Sequence, residues 1–156
     1  MKKIATKCAA VAALSMLPLM AAQAGAGNNH AAVFLGVTNT SDATEPTVGL
    51  EYEYRTGLWD RKIGIGVVAE RIMGDANANL FVAGVVVHPW QDLKANLSAG
   101  KESVSGKSKN VLRIGVGYDF HYDNISYGPV YNLDRISYGG KTTTSHVIGV
   151  AIGMGF

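Results

Sequence analysis

The sequence predicts an all-β protein: an eight-stranded antiparallel up-and-down transmembrane β-barrel, preceded by a cleaved secretory signal. Three observations carry this. Large apolar residues alternate with small or polar ones over most of the chain beyond residue 25. The small face of the alternating runs is rich in glycine, with a few charges per run. The aromatic residues gather at one end of the strands that the alternation defines.

The first segment stands apart from the fold. "MKK" is a basic start, "CAAVAALSMLPLMAA" an apolar run, and "AQA" before Gly25 a small-residue cleavage site. This is the pattern of a secretory signal over residues 1–24. The run is short for a spanning helix of about 20 residues and carries Pro18. Cys8 is the single cysteine, so the 132 residues left after cleavage can form no disulfide. Cleavage also removes Lys2, Lys3 and Lys7. Eleven Lys and Arg then face twelve Asp and Glu, a net charge near −1. No basic stripe remains for binding nucleic acid. The mature length fits one domain, residues 25–156.

Eight strands are predicted, over about 30–39, 46–55, 62–72, 78–88, 92–102, 110–122, 125–137 and 144–156. Most run to about ten residues, the length of a tilted membrane-spanning strand. The first, "AAVFLGV", is apolar on both faces, which leaves its facing open. In the second, Val48, Leu50, Tyr52 and Tyr54 alternate with Gly49, Glu51, Glu53 and Arg55. In the third, Ile63, Ile65 and Val67 alternate with Lys62, Gly64, Gly66 and Glu70. The fourth, "NLFVAGVVV", is again apolar on both faces. In the fifth, Leu93, Ala95 and Leu97 alternate with Lys94, Asn96 and Ser98. In the sixth, Leu112, Ile114, Val116 and Tyr118 alternate with Arg113, Gly115, Gly117, Asp119 and His121. In the seventh, Tyr127, Pro129, Tyr131 and Leu133 alternate with Gly128, Val130, Asn132 and Asp134. The last sets Ile148, Val150, Ile152, Met154 and Phe156 against Gly149, Ala151, Gly153 and Gly155.

A soluble barrel would bury the bulky face and coat the other with Lys, Glu, Thr and Ser. Here that other face is mainly glycine. A small membrane barrel inverts the arrangement: bulky residues meet lipid, and a narrow lumen takes glycine, alanine and paired charges. Backbone groups left open in lipid are costly, so the sheet must close, and eight is an even number.

Starting the first strand at the periplasm puts "TGLWDR", "PWQ" and "DN" on the periplasmic side. The longer polar segments "TNTSDATE", "MGDANAN", "SVSGKSK" and "YGGKTTT" then lie outside, as outer-membrane barrels arrange their loops. The same orientation gathers Tyr54, Trp59, Trp90, Phe120, Tyr122 and Tyr127 into a periplasmic aromatic girdle, with Phe156 beside it. Inside, the expected polar network comprises Glu51, Glu53, Arg55, Lys62, Glu70, Lys94, Arg113, Asp119, His121, Asn132 and Asp134. Opposite charges in a low-dielectric interior must pair, which makes this network a rigid plug.

The tail "HVIGVAIGMGF", with "VLRIGVGYDFHY" and "YGPVYNLD", resembles the small bacterial outer-membrane β-barrel family that includes the OmpX and OmpW types. The resemblance implies a place in the Gram-negative outer membrane, among outer-membrane lipid and lipopolysaccharide, with a monomer favoured. It also implies that Ile148, Val150, Ile152, Met154 and Phe156 form the signal read by the barrel-assembly machinery. The expected role is non-enzymatic, structural or surface-interacting, with short loops that weaken an adhesin reading.

Two alternatives follow from the same class. A narrow channel for small solutes needs an open path, which eight strands barely leave. A lipid A-modifying enzyme needs an activated nucleophile on the lipid-facing wall, as in the Ser–His pair of the lipid A deacylases. His146 is predicted on that wall, but Ser145 points the other way, leaving Ser137 or a loop residue as partner. No acid is in place to orient His146. Asp119 and His121 at alternate positions are a lumen pair rather than a metal site. Gly115 and Gly117 lie inside a strand with no helix after it, so they form no phosphate loop. The sequence therefore predicts no catalytic residue, no metal and no cofactor.

Overall fold

The computed structural model describes residues 27–90 and 92–156. The expected signal, its cleavage site and Cys8 lie outside these residues. The strands are β1 (Asn29–Asn39), β2 (Thr44–Arg55), β3 (Ile63–Ile72), β4 (Ala78–Val87) and β5 (Leu93–Val104), then β6 (Lys107–Tyr118), β7 (Phe120–Tyr122), β8 (Ile125–Tyr138) and β9 (Lys141–Gly155). β6 and β7 are one stave, interrupted at Asp119, whose N–H donates to Asp92 O at 2.7 Å.

Each stave pairs antiparallel with its chain neighbours, and β1 pairs with β9. β6 pairs with β8, which completes the ring. The all-β, eight-stranded, up-and-down barrel is therefore closed. The ring is also staggered. Register partners of Val111 run through Gly100, Val82, Val68 and Glu51. They continue through Ala32, Gly153 and Ser126 and return to the starting stave at His121. Closing on His121 instead of Val111 is the shear that a tilted barrel requires.

The alternation sorts as expected on the staves with one small face. Leu50, Ile65, Leu97, Ile114 and Ile148 point outward and are each at least 50% exposed. A continuous apolar wall of this kind is a lipid-facing surface. The two staves with open facing are now fixed. β1 turns Phe34 inward, fully buried, and Leu35 and Val37 outward. β4 turns Leu80 and Val82 inward and Phe81 and Val85 outward.

The loop-length contrast is not found. "SVSGKSK" and "YGGKTTT" are not loops: β5 and β6 run on to Val104 and from Lys107, and β8 and β9 to Tyr138 and from Lys141. Ser105, Gly106, Gly139 and Gly140 all have φ between 48° and 79°. Two-residue turns with both φ positive match the twist of the strands they join. The longest connection, 56–62, lies at the end where the chain begins and ends.

Inward glycines are places where long side chains need room. A Cβ on Gly49 would come within 2.8 Å of Glu70 Cγ, and one on Gly117 within 2.7 Å of Lys94 Cε. A Cβ on Gly64 would overlap the Glu53 carboxylate. Gly36 and Gly149 flank the Phe34 ring in the same way. The glycines thus convert a lumen too narrow for two full faces into one that holds charged and aromatic side chains.

Candidate functional site: the lumen and its outer wall

Arg113 lies at the centre of the lumen and is 1% exposed. β6 presents it directly opposite Asp134 of β8. Its Nε and Nη2 donate to Asp134 Oδ1 and Oδ2 at 2.6 and 2.7 Å. Its Nη1 and Nη2 donate to Glu70 Oε1 and Oε2 at 2.6 and 2.7 Å. One planar guanidinium thus clamps two buried carboxylates bidentately, the geometry for which arginine is suited and lysine is not.

Toward the end that holds the termini, a second group forms around Lys94. Its Nζ lies 3.3 Å from Asp119 Oδ1 and 3.8 Å from Glu51 Oε2. Glu53 Oε1 is 2.8 Å from His88 Nε2 and 3.6 Å from Arg55 Nε. His30 Nε2 and Ser126 Oγ are 2.7 Å apart, and Asn96 Nδ2 donates to Asn132 Oδ1 at 3.3 Å. Among them His30, Glu51, Glu53, Lys94, Asn96 and Asn132 line a cavity of about 40 Å³, room for a few water molecules at most.

Apolar layers interleave with the charges. Leu80 and Val82 of β4 pack with Val111 of β6 and Ile136 of β8, and Val68 of β3 lies against them. Phe34, Val130, Val147, Ala32 and Ala151 form a second cluster. A wider cavity of about 440 Å³ opens at the opposite end, lined by residues that include Glu45, Glu102, Lys109 and Ser145. Arg113 lines the small cavity and not the large one.

Eight of the expected network residues meet in the lumen as described: Glu51, Glu53, Glu70, Lys94, Arg113, Asp119, Asn132 and Asp134. Arg55 joins at the rim through Glu53. Two do not. Lys62 belongs to the 56–62 connection, with Nζ 5.9 Å from the Trp59 ring centroid. It falls just before β3 begins, outside the enclosed lumen. His121 keeps inward parity, but its side chain is 41% exposed and lies 3.8 Å from Asp92. The β7–β8 hairpin projects past the start of β5 at Leu93, so its inner face meets solvent. The expected Asp119–His121 pair is therefore absent: Asp119 turns to Lys94 instead.

Sequence reasoning missed His30, His88, Glu45, Glu102 and Lys109. His30 and His88 continue the inward alternation of β1 and β4, the two staves whose facing was open. Lys109 and Glu45 lie in segments whose polarity predicts loops, and Glu102 closes the fifth predicted strand. Glu45 accepts the Ala76 N–H at 2.7 Å, and Lys109 donates to Glu102 at 3.1 Å.

On the outer wall, Tyr54, Trp59, Trp90, Phe120, Tyr122 and Tyr127 are all exposed at the end that holds the termini. Phe120 packs against Tyr118 and Tyr127 at centroid distances of 5.0 and 5.6 Å. Of the last-strand residues, Ile148, Val150 and Ile152 face outward and exposed. Met154 is buried, 8% exposed, between its register partners Ala31 and Ile125, which departs from the expected exposed stripe. Phe156 is half-buried.

His146 is exposed on the outer wall, but its partner is Tyr131, whose hydroxyl is 2.8 Å from Nδ1. Ser145 is buried on the lumen side, and Ser137 stands opposite Thr142, not His146. No Ser–His pair is assembled there. Among the described residues no three His, Cys, Asp or Glu side chains group to hold a metal.

No protein-family model and no curated protein matches the chain. Solved structures do. The crystal structure of Neisserial surface protein A is similar at a TM-score of 0.57 and 16% identity, over 82% of this chain and 96% of that one. The N-terminal β-barrel domain of Pseudomonas aeruginosa OprF gives 0.56 and 16%, over 82% and 98%. The Yersinia pestis outer membrane protein Ail gives 0.52 and 11%, over 81% and 99%. The chain has the fold of small outer-membrane β-barrels.

Proposed function

We propose that this chain is an integral barrel of the Gram-negative outer membrane, with a sealed lumen and a non-enzymatic, structural or surface-interaction role. The membrane placement is supported by the apolar outer wall, the aromatic end and the likeness in fold. The observation that carries the sealed lumen is the Arg113 clamp on Glu70 and Asp134, packed among apolar layers. Ions crossing the barrel would have to displace two bidentate ion pairs. The non-enzymatic reading is supported by the pairing of His146 with Tyr131 rather than with a serine. In this reading the lipid of the bilayer is the main partner, and the assembly machinery reads the outward side chains of β9 during insertion.

The test is reconstitution into planar bilayers alongside mass spectrometry of lipid A from expressing cells. The reading predicts no resolved conductance and unchanged lipid A. Stepwise conductance that changes in Arg113→Ala would favour the channel. A lipid A mass change lost in His146→Ala would favour the enzyme.

A further inference from the structure

The outer wall carries a pattern that neither the lumen nor the apolar band explains. Every carboxylate within a strand, Glu45, Glu51, Glu53, Glu70, Glu102 and Asp134, has the inward parity of its stave. Beside His146, the outward-facing strand residues with ionic side chains are three cations: Arg71 of β3, Lys101 of β5 and Arg135 of β8. All three lie near the end of an ascending strand, opposite the aromatic rim.

They also lie at one level. The register partner of Arg71 is Asn79, and that of Asn79 is Ser103, two residues beyond Lys101. Lys101 pairs with Asn110 and Asn110 with Ser137, two residues beyond Arg135. In this direction the rungs climb away from the aromatic rim, because the ring is staggered from Val111 to His121. Two strands take a quarter of that climb, and each step back of two residues offsets most of it. The result is a level row of cations roughly 12 Å apart, from a strand spacing of ~4.8 Å and a rise of ~3.3 Å per residue.

The row marks a boundary. Lys101 is opposite Phe81 and Arg135 opposite Leu112, both exposed and apolar. On the far side stand Asn110, Ser137, Ser103 and Thr142, uncharged hydrogen-bonding groups. The other rim has no such polar collar: there the strands reach tyrosine and phenylalanine.

We propose that Arg71, Lys101 and Arg135 form a docking row for the phosphates of a phosphorylated glycolipid in the outer leaflet. The chemistry is a phosphate at the edge of the hydrocarbon, with hydrated sugar beyond it. Guanidinium and ammonium groups meet the phosphate. The amide and hydroxyl collar meets the sugar, which a thin phospholipid headgroup would not cover. Among the described residues no strand carboxylate faces this wall, which limits the repulsion an anionic surface would meet to Asp42 and Asp75 in the connections beyond it. The inference rests on the membrane reading above.

The test uses the mature chain folded in neutral detergent micelles, with fluorescent lipopolysaccharide as probe. Lys101→Gln with Arg135→Gln should weaken binding by roughly tenfold or more, near the contribution of two cations at an anionic surface. Lys62→Gln, at the other rim, should leave it unchanged. Chemically dephosphorylated lipopolysaccharide should bind wild type about as weakly as phosphorylated material binds the double variant. Equal binding of the phosphorylated and dephosphorylated forms would overturn the proposal, and so would an undiminished double variant. Equally tight binding of phosphatidylglycerol would reduce the row to a general anion contact and overturn the glycolipid assignment. A heat-dependent gel shift run on each sample separates the cases. If the shift is present, failure to bind sinks this inference alone; if wild type shows none, the barrel reading fails first.

Discussion

Arg113 and Asp134 stand directly opposite each other across the β6–β8 pair and are joined by two parallel hydrogen bonds of 2.6 and 2.7 Å. The same guanidinium holds Glu70, 43 residues away in the chain. The three groups are buried, so each depends on the others for the interactions that water would have supplied. Removing the cation leaves two carboxylates facing each other without compensation. Arg113→Ala is expected to destabilise the barrel by about 3–5 kcal/mol. Urea unfolding in lipid vesicles, followed by tryptophan emission, measures this. Adding Glu70→Gln and Asp134→Asn to Arg113→Met should recover much of the loss, since no charge is then left unpaired.

The inner glycines make a second prediction. Gly36 and Gly149 lie against the Phe34 ring. Gly149→Val should cost about 1–3 kcal/mol by overpacking, and Phe34→Ala about 3–5 kcal/mol by leaving a cavity. Combined, the two should cost less than their sum, because the valine fills part of the space that the ring vacates. The same unfolding assay reads the coupling, and strict additivity would contradict the packing described.

The outer wall is tested by placing a charge on it. Ile114 is 55% exposed, near the middle of β6. In lipid, Ile114→Arg should cost about 2–4 kcal/mol, the penalty for a cation near the bilayer midplane. On a water-facing wall the same change would be neutral or would improve solubility. Comparing unfolding midpoints of the variant and wild type in vesicles decides between the two.

The two tryptophans, Trp59 and Trp90, lie at one rim. Emission therefore reports that rim alone. Quenchers at headgroup depth should reduce it strongly, and quenchers at the acyl-chain ends only weakly, as expected of side chains in an interfacial belt. The reverse order would place this end of the barrel inside the hydrocarbon.

The architecture was legible because alternation on β2, β5, β6, β8 and β9 sets a bulky face against a small one. On β1 and β4 both faces are apolar, and parity alone could not say that Phe34 or Val82 points inward. Phe34 is decided by space beside Gly36 and Gly149, one of them more than a hundred residues away. At 105–106 and 139–140 polar residues on both faces look like solvent-exposed chain, so the sequence predicts loops where the structure has tight hairpins. At the barrel mouth, however, one face meets the lumen entrance and the other the headgroup region. Their turn residues were the better signal, since Gly139–Gly140 suits a turn with both φ positive. The inner charges were recognised by facing, but which cation meets which carboxylate depends on stagger and closure. His121 shows the limit of parity: it has the inward position, yet its hairpin extends past the rim.

The central claim is a closed barrel whose apolar face meets lipid. It is tested most directly by fractionating cells that express the chain and comparing cold with heated migration in SDS gels. The account predicts recovery in the outer membrane and faster migration of the unheated protein, because a closed barrel resists SDS until it is heated. Recovery as a soluble periplasmic protein with no heat-dependent shift would contradict it and would turn the glycine-rich face toward water.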